Sequence, residues 1–121
     1  MRKSLFVLAD RPPYGSILPA EAIRHARGAL AKGWEVILAL TGDGVYTVLP
    51  NQSPPAGELA SLSGAVSEFI EEGKGKGVVL AESGALGARG ISVSDLIPGS
   101  RPVTMNEIAA ALARCDRTLI F

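Results

Sequence analysis

Gly77-Val-Val-Leu-Ala-Glu-Ser-Gly84, continuing through Ala85-Leu-Gly-Ala-Arg-Gly-Ile91, reads as a strand that stops on polar residues and hands over to a helix. The run Val78 to Ala81 has no polar residue alternating with apolar ones, the pattern of a strand buried on both faces, and the cluster Gly73-Lys-Gly-Lys-Gly77 opens it. Ser83 reads as an N-cap for a short helix from Gly84 to Arg89, with Gly90 as the C′ residue. In an open α/β sheet the corner between strand end and helix start gathers free backbone N–H groups, so chemistry is usually placed there. Glu82 and Ser83 occupy that corner.

The same grammar repeats on either side. Ser4 to Ala9 is a continuous apolar strand, and Asp10-Arg-Pro-Pro-Tyr-Gly-Ser16 is a loop stiffened by two prolines. A helix follows from Ile17 to Lys32, with Ile23, Ala26 and Leu30 on an apolar stripe and Glu21, Arg24, His25 and Lys32 opposite. Glu35 to Thr41 is a second buried strand ending on Thr41-Gly-Asp-Gly44. Val45 to Leu49 reads as a short helix interrupted by Pro50, and Asn51 to Gly57 as an exposed connection. Leu59, Leu62, Val66, Phe69 and Ile70 give helical period to Glu58–Glu72. Beyond the central stretch, Ile91 to Arg101 lacks periodicity, and Pro102-Val103 is a candidate edge piece. Thr104-Met-Asn-Glu107 is a capping box opening a helix whose Met105, Ile108, Ala109 and Leu112 are expected to face the core. Arg117 to Phe121 is the last strand.

Strands alternating with amphipathic helices predict a three-layer α/β/α fold on a mostly parallel sheet of four to five strands, in one domain spanning residues 1–121. The loops Asp10–Ser16, Thr41–Gly44 and Glu82–Ser83 then all fall at strand carboxyl ends and are expected to line one crevice. Cys115 falls at the opposite edge, at the amino end of its strand.

Composition narrows the function. Twelve basic and twelve acidic residues leave no net charge, and there is no basic stripe with interleaved aromatics, which argues against nucleic acid as partner. No apolar run approaches a membrane span, and the apolar start is cut short at Asp10-Arg11, so a cytoplasmic location is expected with no membrane partner. One cysteine and one histidine supply neither a disulfide nor a metal cluster, and no cofactor is expected. The glycines do not fall at nucleotide-fingerprint spacing: Gly42-Asp-Gly44 lacks a third glycine, and Gly73 to Gly77 precede a strand instead of following one.

The candidate crevice residues are Tyr14, Gly15, Ser16, Asp43, Glu82, Ser83 and Arg89. Glu82 reads either as a general base or ligand-binding carboxylate, or as charge compensation for the helix and a partner for Arg89. Asp43 in Gly-Asp-Gly reads first as an Asx-turn residue, and Tyr14 either covers a ligand or packs on the first helix. His25 reads as a solvated residue near Glu21. Cys115 reads as a small buried side chain, since neither a histidine nor a helix N-terminus lies near it to lower its pKa. From the residues alone, the chain is an α/β domain with a polar crevice and no assembled catalytic set. A small-molecule or anion-binding module is one function such a crevice serves.

Pro13-Tyr-Gly-Ser16, Thr41-Gly-Asp-Gly-Val-Tyr-Thr-Val-Leu-Pro50-Asn-Gln52, Ala88-Arg-Gly-Ile91 and Cys115-Asp-Arg117 ahead of Phe121, in that order, resemble the DsrE/DsrF family of sulfur-relay proteins over nearly the whole chain. The pieces Asp43-Gly-Val-Tyr46 and Leu49-Pro-Asn-Gln52 are nearer to the DsrF/TusC branch than to the DsrE/TusD branch. The resemblance implies a DsrEFH-like subunit that forms homo-oligomers (dimers, trimers or hexamers) or hetero-oligomers with DsrE/DsrH-like subunits, and that meets a sulfur-carrier protein. In catalytic members a cysteine after the third strand carries sulfur as a persulfide. The matching position here is Glu82, and a carboxylate cannot hold a persulfide, so the catalytic residue is left open. Cys115 matches a terminal position that is not the carrier. The resemblance therefore implies a non-catalytic or scaffolding subunit of a sulfur relay.

Overall fold

The computed structural model describes residues 3–56 and 61–121. Five strands, β1 (Ser4–Ala9), β2 (Glu35–Leu40), β3 (Gly77–Glu82), β4 (Ser100–Val103) and β5 (Arg117–Ile120), form one sheet in the order β4-β3-β2-β1-β5. Every pairing is parallel. The helices are α1 (Leu18–Ala31), α2 (Leu62–Gly73), α3 (Ser83–Ala88) and α4 (Met105–Arg114), with 3-10 turns at Gly42–Val48 and Val93–Asp95.

Topology decides which face each helix covers. From β1 to β4 the chain steps one way across the sheet, and right-handed crossovers keep α1 and α2 on one face. The step from β4 back to β5 runs the other way across the whole sheet, which carries α4 to the other face. Two cores result. The larger joins Leu5, Val7, Val36, Leu38 and Val79 to Ala22, Ile23 and Ala26 of α1 and Val66 and Phe69 of α2. The smaller joins Phe6, Ala39 and Leu80 to Ile108 and Ala111 of α4. β1, β2 and β3 run apolar because they are buried from both sides. Phe69 is fully buried and its ring rests on the start of β3, where a Cβ on Gly77 would stand 3.0 Å from it. Arg27 ties α1 to α2 through Glu68 at 3.1 Å and Glu72 at 2.9 Å, a partly exposed set worth about 1 kcal/mol at most per pair.

Several boundaries move. α2 is capped by the Ser61 hydroxyl, which accepts from the Gly64 N–H at 3.2 Å, so the helix starts later than Glu58; residues 57–60 lie outside the described residues. Thr41–Gly44 and the helix expected from Val45 merge into one 3-10 stretch, Gly42–Val48. The central corner shifts by one residue: Glu82 stands at the N-cap without a side-chain capping bond, and Ser83 is the first residue of α3. Gly90 does end that helix, at φ +66°. The Pro102 piece is the edge strand β4, where a residue lacking an N–H is tolerated. Thr104 caps α4 as expected, accepting from the Glu107 N–H at 3.2 Å.

The face of α4 is the largest correction. Ile108 and Ala111 face the core, whereas Met105 is 49% exposed, Leu112 38% exposed, and Ala109 also open to solvent. Apart from Ile108, the apolar stripe expected of α4 is thus turned away from the chain's own core.

Candidate functional site

Because the sheet is parallel, the ends of β1, β2 and β3 meet at one edge. The 3-10 turn after β2 docks on the end of β1, with Thr41 N–H donating to the Ala9 carbonyl at 3.2 Å. Glu82, at the end of β3, reaches across: its Oε1 accepts from the Gly42 N–H at 3.1 Å. Arg89, just past α3, donates from Nε and Nη2 to Asp43 Oδ1 at 3.0 and 2.8 Å, and from Nη1 to the Ala85 carbonyl at 3.1 Å. The Asp43 carboxylate thus forms an ion pair with Arg89, and Arg89 pairs with Asp43 and not with Glu82, which was one alternative for it. Ser83 lies exposed beside them. The result is a cluster of two carboxylates and one guanidinium, Glu82 and Arg89 half-buried and Asp43 exposed, joining the β2 turn to the β3–α3 corner.

Tyr14, Gly15 and Ser16 line a different cavity, of about 340 Å³, with Pro13, Ile17, Ala20 and Leu62. The Tyr14 hydroxyl donates to Gln52 Oε1 at 2.7 Å and accepts from the Leu62 N–H at 3.1 Å, so it braces the start of α2. Gln52 is the residue that sequence reasoning missed. Its Nε2 donates to the carbonyls of Tyr46, Thr47 and Leu49, closing the end of the 3-10 turn, and its Oε1 also accepts from the Ser63 N–H. The only hint in the sequence was its place in Leu49-Pro-Asn-Gln52. Tyr14→Phe removes both hydroxyl bonds from a half-buried site, and urea denaturation should show a loss of about 1–2 kcal/mol.

The point where the helices change faces is β1, two strands from Glu82, so the Glu82 corner is not the switch point where such sheets most often bind ligands. Cys115 ends α4 and lines a cavity of about 430 Å³ with Ser4, Glu35 and Lys76, all at or before strand starts, which places it at the edge opposite Glu82. Burial pushes its thiol pKa up, outweighing the Ser4 hydrogen bond and the Arg114 charge that pull it down. His25, on the open side of α1, donates from Nδ1 to the Glu21 carbonyl at 2.8 Å and lies 5.2 Å from the Phe121 ring. Glu21 is held below the usual carboxylate range, chiefly by its hydrogen bond from Arg24. Among the described residues no group of three His, Cys, Asp or Glu could hold a metal ion, and no helix is long and apolar enough to cross a membrane.

A five-stranded parallel sheet, helices on both faces and a polar cluster at the strand ends define a small α/β domain. The chain belongs to the DsrE/DsrF-like family, associated with sulfur relay, which it matches over residues 3–121. It is 31% identical over 115 residues to an uncharacterized protein of Methanocaldococcus jannaschii, covering 95% of this chain and 96% of that one. It is also 31% identical over 119 residues to an uncharacterized protein of Methanopyrus kandleri, covering 95% and 91%. Among solved structures, the YchN protein of E. coli superposes with a TM-score of 0.87 at 26% identity, covering all of both chains. The protein MTH1491 of Methanobacterium thermoautotrophicum shares the fold, with a TM-score of 0.77 at 18% identity over 98% of this chain and 99% of that one.

Proposed function

We propose that this chain is a non-catalytic, DsrF/TusC-like subunit of a sulfur relay, acting in an oligomer of its own or beside DsrE/DsrH-like subunits. One observation carries the reading. Glu82 ends β3, where the resemblance places the sulfur-bearing cysteine, and its carboxylate is already held by the Gly42 N–H. The chain's single thiol lies at the other end of the sheet with its pKa raised by burial, so it has little thiolate to offer at neutral pH. In this reading the cluster of Asp43, Glu82, Ser83 and Arg89 is a contact surface for a carrier or a sister subunit, and Tyr14, Gly15 and Ser16 line a separate cavity.

The test is direct. The folded protein, incubated with a low-molecular-weight persulfide and examined by mass spectrometry without reductant, should show no one-sulfur mass increase. A stable adduct on Cys115 in folded protein would overturn the non-catalytic assignment. A companion measurement follows the pH dependence of Cys115 alkylation. Below the ordinary thiol range the rate should lag behind that of a free cysteine peptide, and it should still be climbing at pH values where the peptide has levelled off, because the raised pKa delays thiolate formation.

A further inference from the structure

The second face of the sheet is covered by one helix. Five strands at the usual spacing of about 4.8 Å make a sheet about 24 Å wide, and a helix with its side chains is about 10 Å across. Parallel sheets are ordinarily covered on both faces. Ile37, Val78 and Val103 are only half-buried beside α4, and a groove of about 550 Å³ runs between them and the helix flank carrying Glu107 and Arg114. On the other flank are the exposed Met105, Ala109 and Leu112. Ile120, 70% exposed, is in register with Leu8 of β1, which packs at the smaller core, so alternation turns it to this same face.

From this face we infer that two copies of the chain pack α4 against α4, antiparallel, about a two-fold axis. The inference deepens the assembly part of the proposed function and rests on the surface of α4, not on sulfur chemistry. Between the two flanks, the outermost positions of α4 are Asn106, Ala110 and Ala113, short enough for close approach of a second helix. Stacking two such helices through their outer sides about a perpendicular two-fold reverses their direction and keeps each flank beside its counterpart. Glu107 of one copy then meets Arg114 of the other, twice, and Met105 meets Leu112, twice. Among the described residues neither Glu107 nor Arg114 has an ion-pair partner within the chain. The two pairings centre about two residues apart along the helix, about 3 Å, within the reach of methionine and arginine side chains. A charge pattern that is its own complement under a two-fold, next to an exposed apolar strip, fits a second copy better than an unlike partner.

Sedimentation velocity across a concentration series tests it. The wild-type protein should run at twice its 12.5 kDa chain mass or a multiple of that. Leu112→Glu should raise the dissociation constant about 100-fold by setting a charge in the apolar strip. Glu107→Arg or Arg114→Glu alone should weaken association about tenfold through like charges, while the double swap should restore it to within about threefold of wild type. These positions are exposed, and circular dichroism melting confirms folding of each variant; should Leu112→Glu not fold, the charge series decides. A wild-type monomer at about 100 μM, or a double swap no better than the singles, would overturn the interface. Either result leaves the persulfide experiment on the wild-type chain to judge the relay reading separately.

Discussion

Gly44→Ala should cost about 3–5 kcal/mol in urea denaturation, a large fraction of the stability of a domain this size. A Cβ at position 44 would stand 2.2 Å from the Ala9 carbonyl oxygen and 3.1 Å from its carbonyl carbon. Both are backbone atoms at the end of the strand that pairs with β2 and β5, so no rotamer change relieves the overlap. The 3-10 turn would have to lift off β1. Lifting it disturbs the Thr41–Ala9 and Gly42–Glu82 bonds and the Arg89–Asp43 ion pair together. Gly28→Ala is the control. Gly28 lies inside α1 with open space around it, so alanine there should be neutral or stabilising by about 0.5–1 kcal/mol. If Gly44→Ala proves as stable as wild type, the turn does not sit on β1 as described.

Why was the sheet legible when its surroundings were less so? A strand buried on both faces must be apolar at every position, and Val78–Ala81, Leu5–Ala9 and Val36–Leu40 advertise that without reference to anything else in the chain. The alternation of these runs with helical periods fixed the layers as well. β4 was only half visible, since Ser100-Arg-Pro-Val103 has no pattern of its own and is a strand because β3 offers it an edge. α4 was assigned correctly as a helix, and of the core-facing residues expected of it Ile108 is buried while Met105, Ala109 and Leu112 are not. Apolar periodicity says that a stripe avoids water, and nothing in it says that the burying surface belongs to the same molecule. The site was the least legible part. Asp43 and Arg89 are 46 residues apart, and Gln52 collects five hydrogen bonds from partners that only the folded turn brings within reach. No spacing in the sequence records such pairings. A one-residue shift of the cap, from Ser83 to Glu82, came from the same cause: Glu82 is held at the corner by Gly42 on another strand's loop, and that tertiary bond outweighs serine's local preference for the cap.

Glu82→Cys is expected to give the chain what the wild type lacks. Treated with a low-molecular-weight persulfide, the variant should gain one sulfur per chain, at position 82, where the wild type gains none. The step balances simply: the thiolate of the introduced cysteine attacks the outer sulfur of the donor, the donor's S–S bond breaks, its inner sulfur leaves as thiol, and a new persulfide remains on the protein. Three features of the corner favour it. The position is half-buried but open on the side of the exposed Ser83 and Gly84, so a small donor can approach. The Gly42 N–H that now donates to the glutamate is left free to donate to an anion. Length also matches, because a cysteine persulfide places its terminal sulfur two bonds beyond Cβ, at about 2 Å per bond, close to the reach of the glutamate carboxylate. The terminal sulfur anion would then take over the bond that Glu82 makes to Gly42. In the reduced variant that bond is lost for want of reach, so the thermal midpoint should fall by the equivalent of about 1 kcal/mol and recover on persulfide loading. A loaded variant that stays as unstable as the reduced one would mean that the added sulfur points elsewhere. A variant that takes up no sulfur at all would mean that position 82 is not equivalent to the carrier position, and the assignment of this chain as a relay subunit that has lost its thiol would go with it.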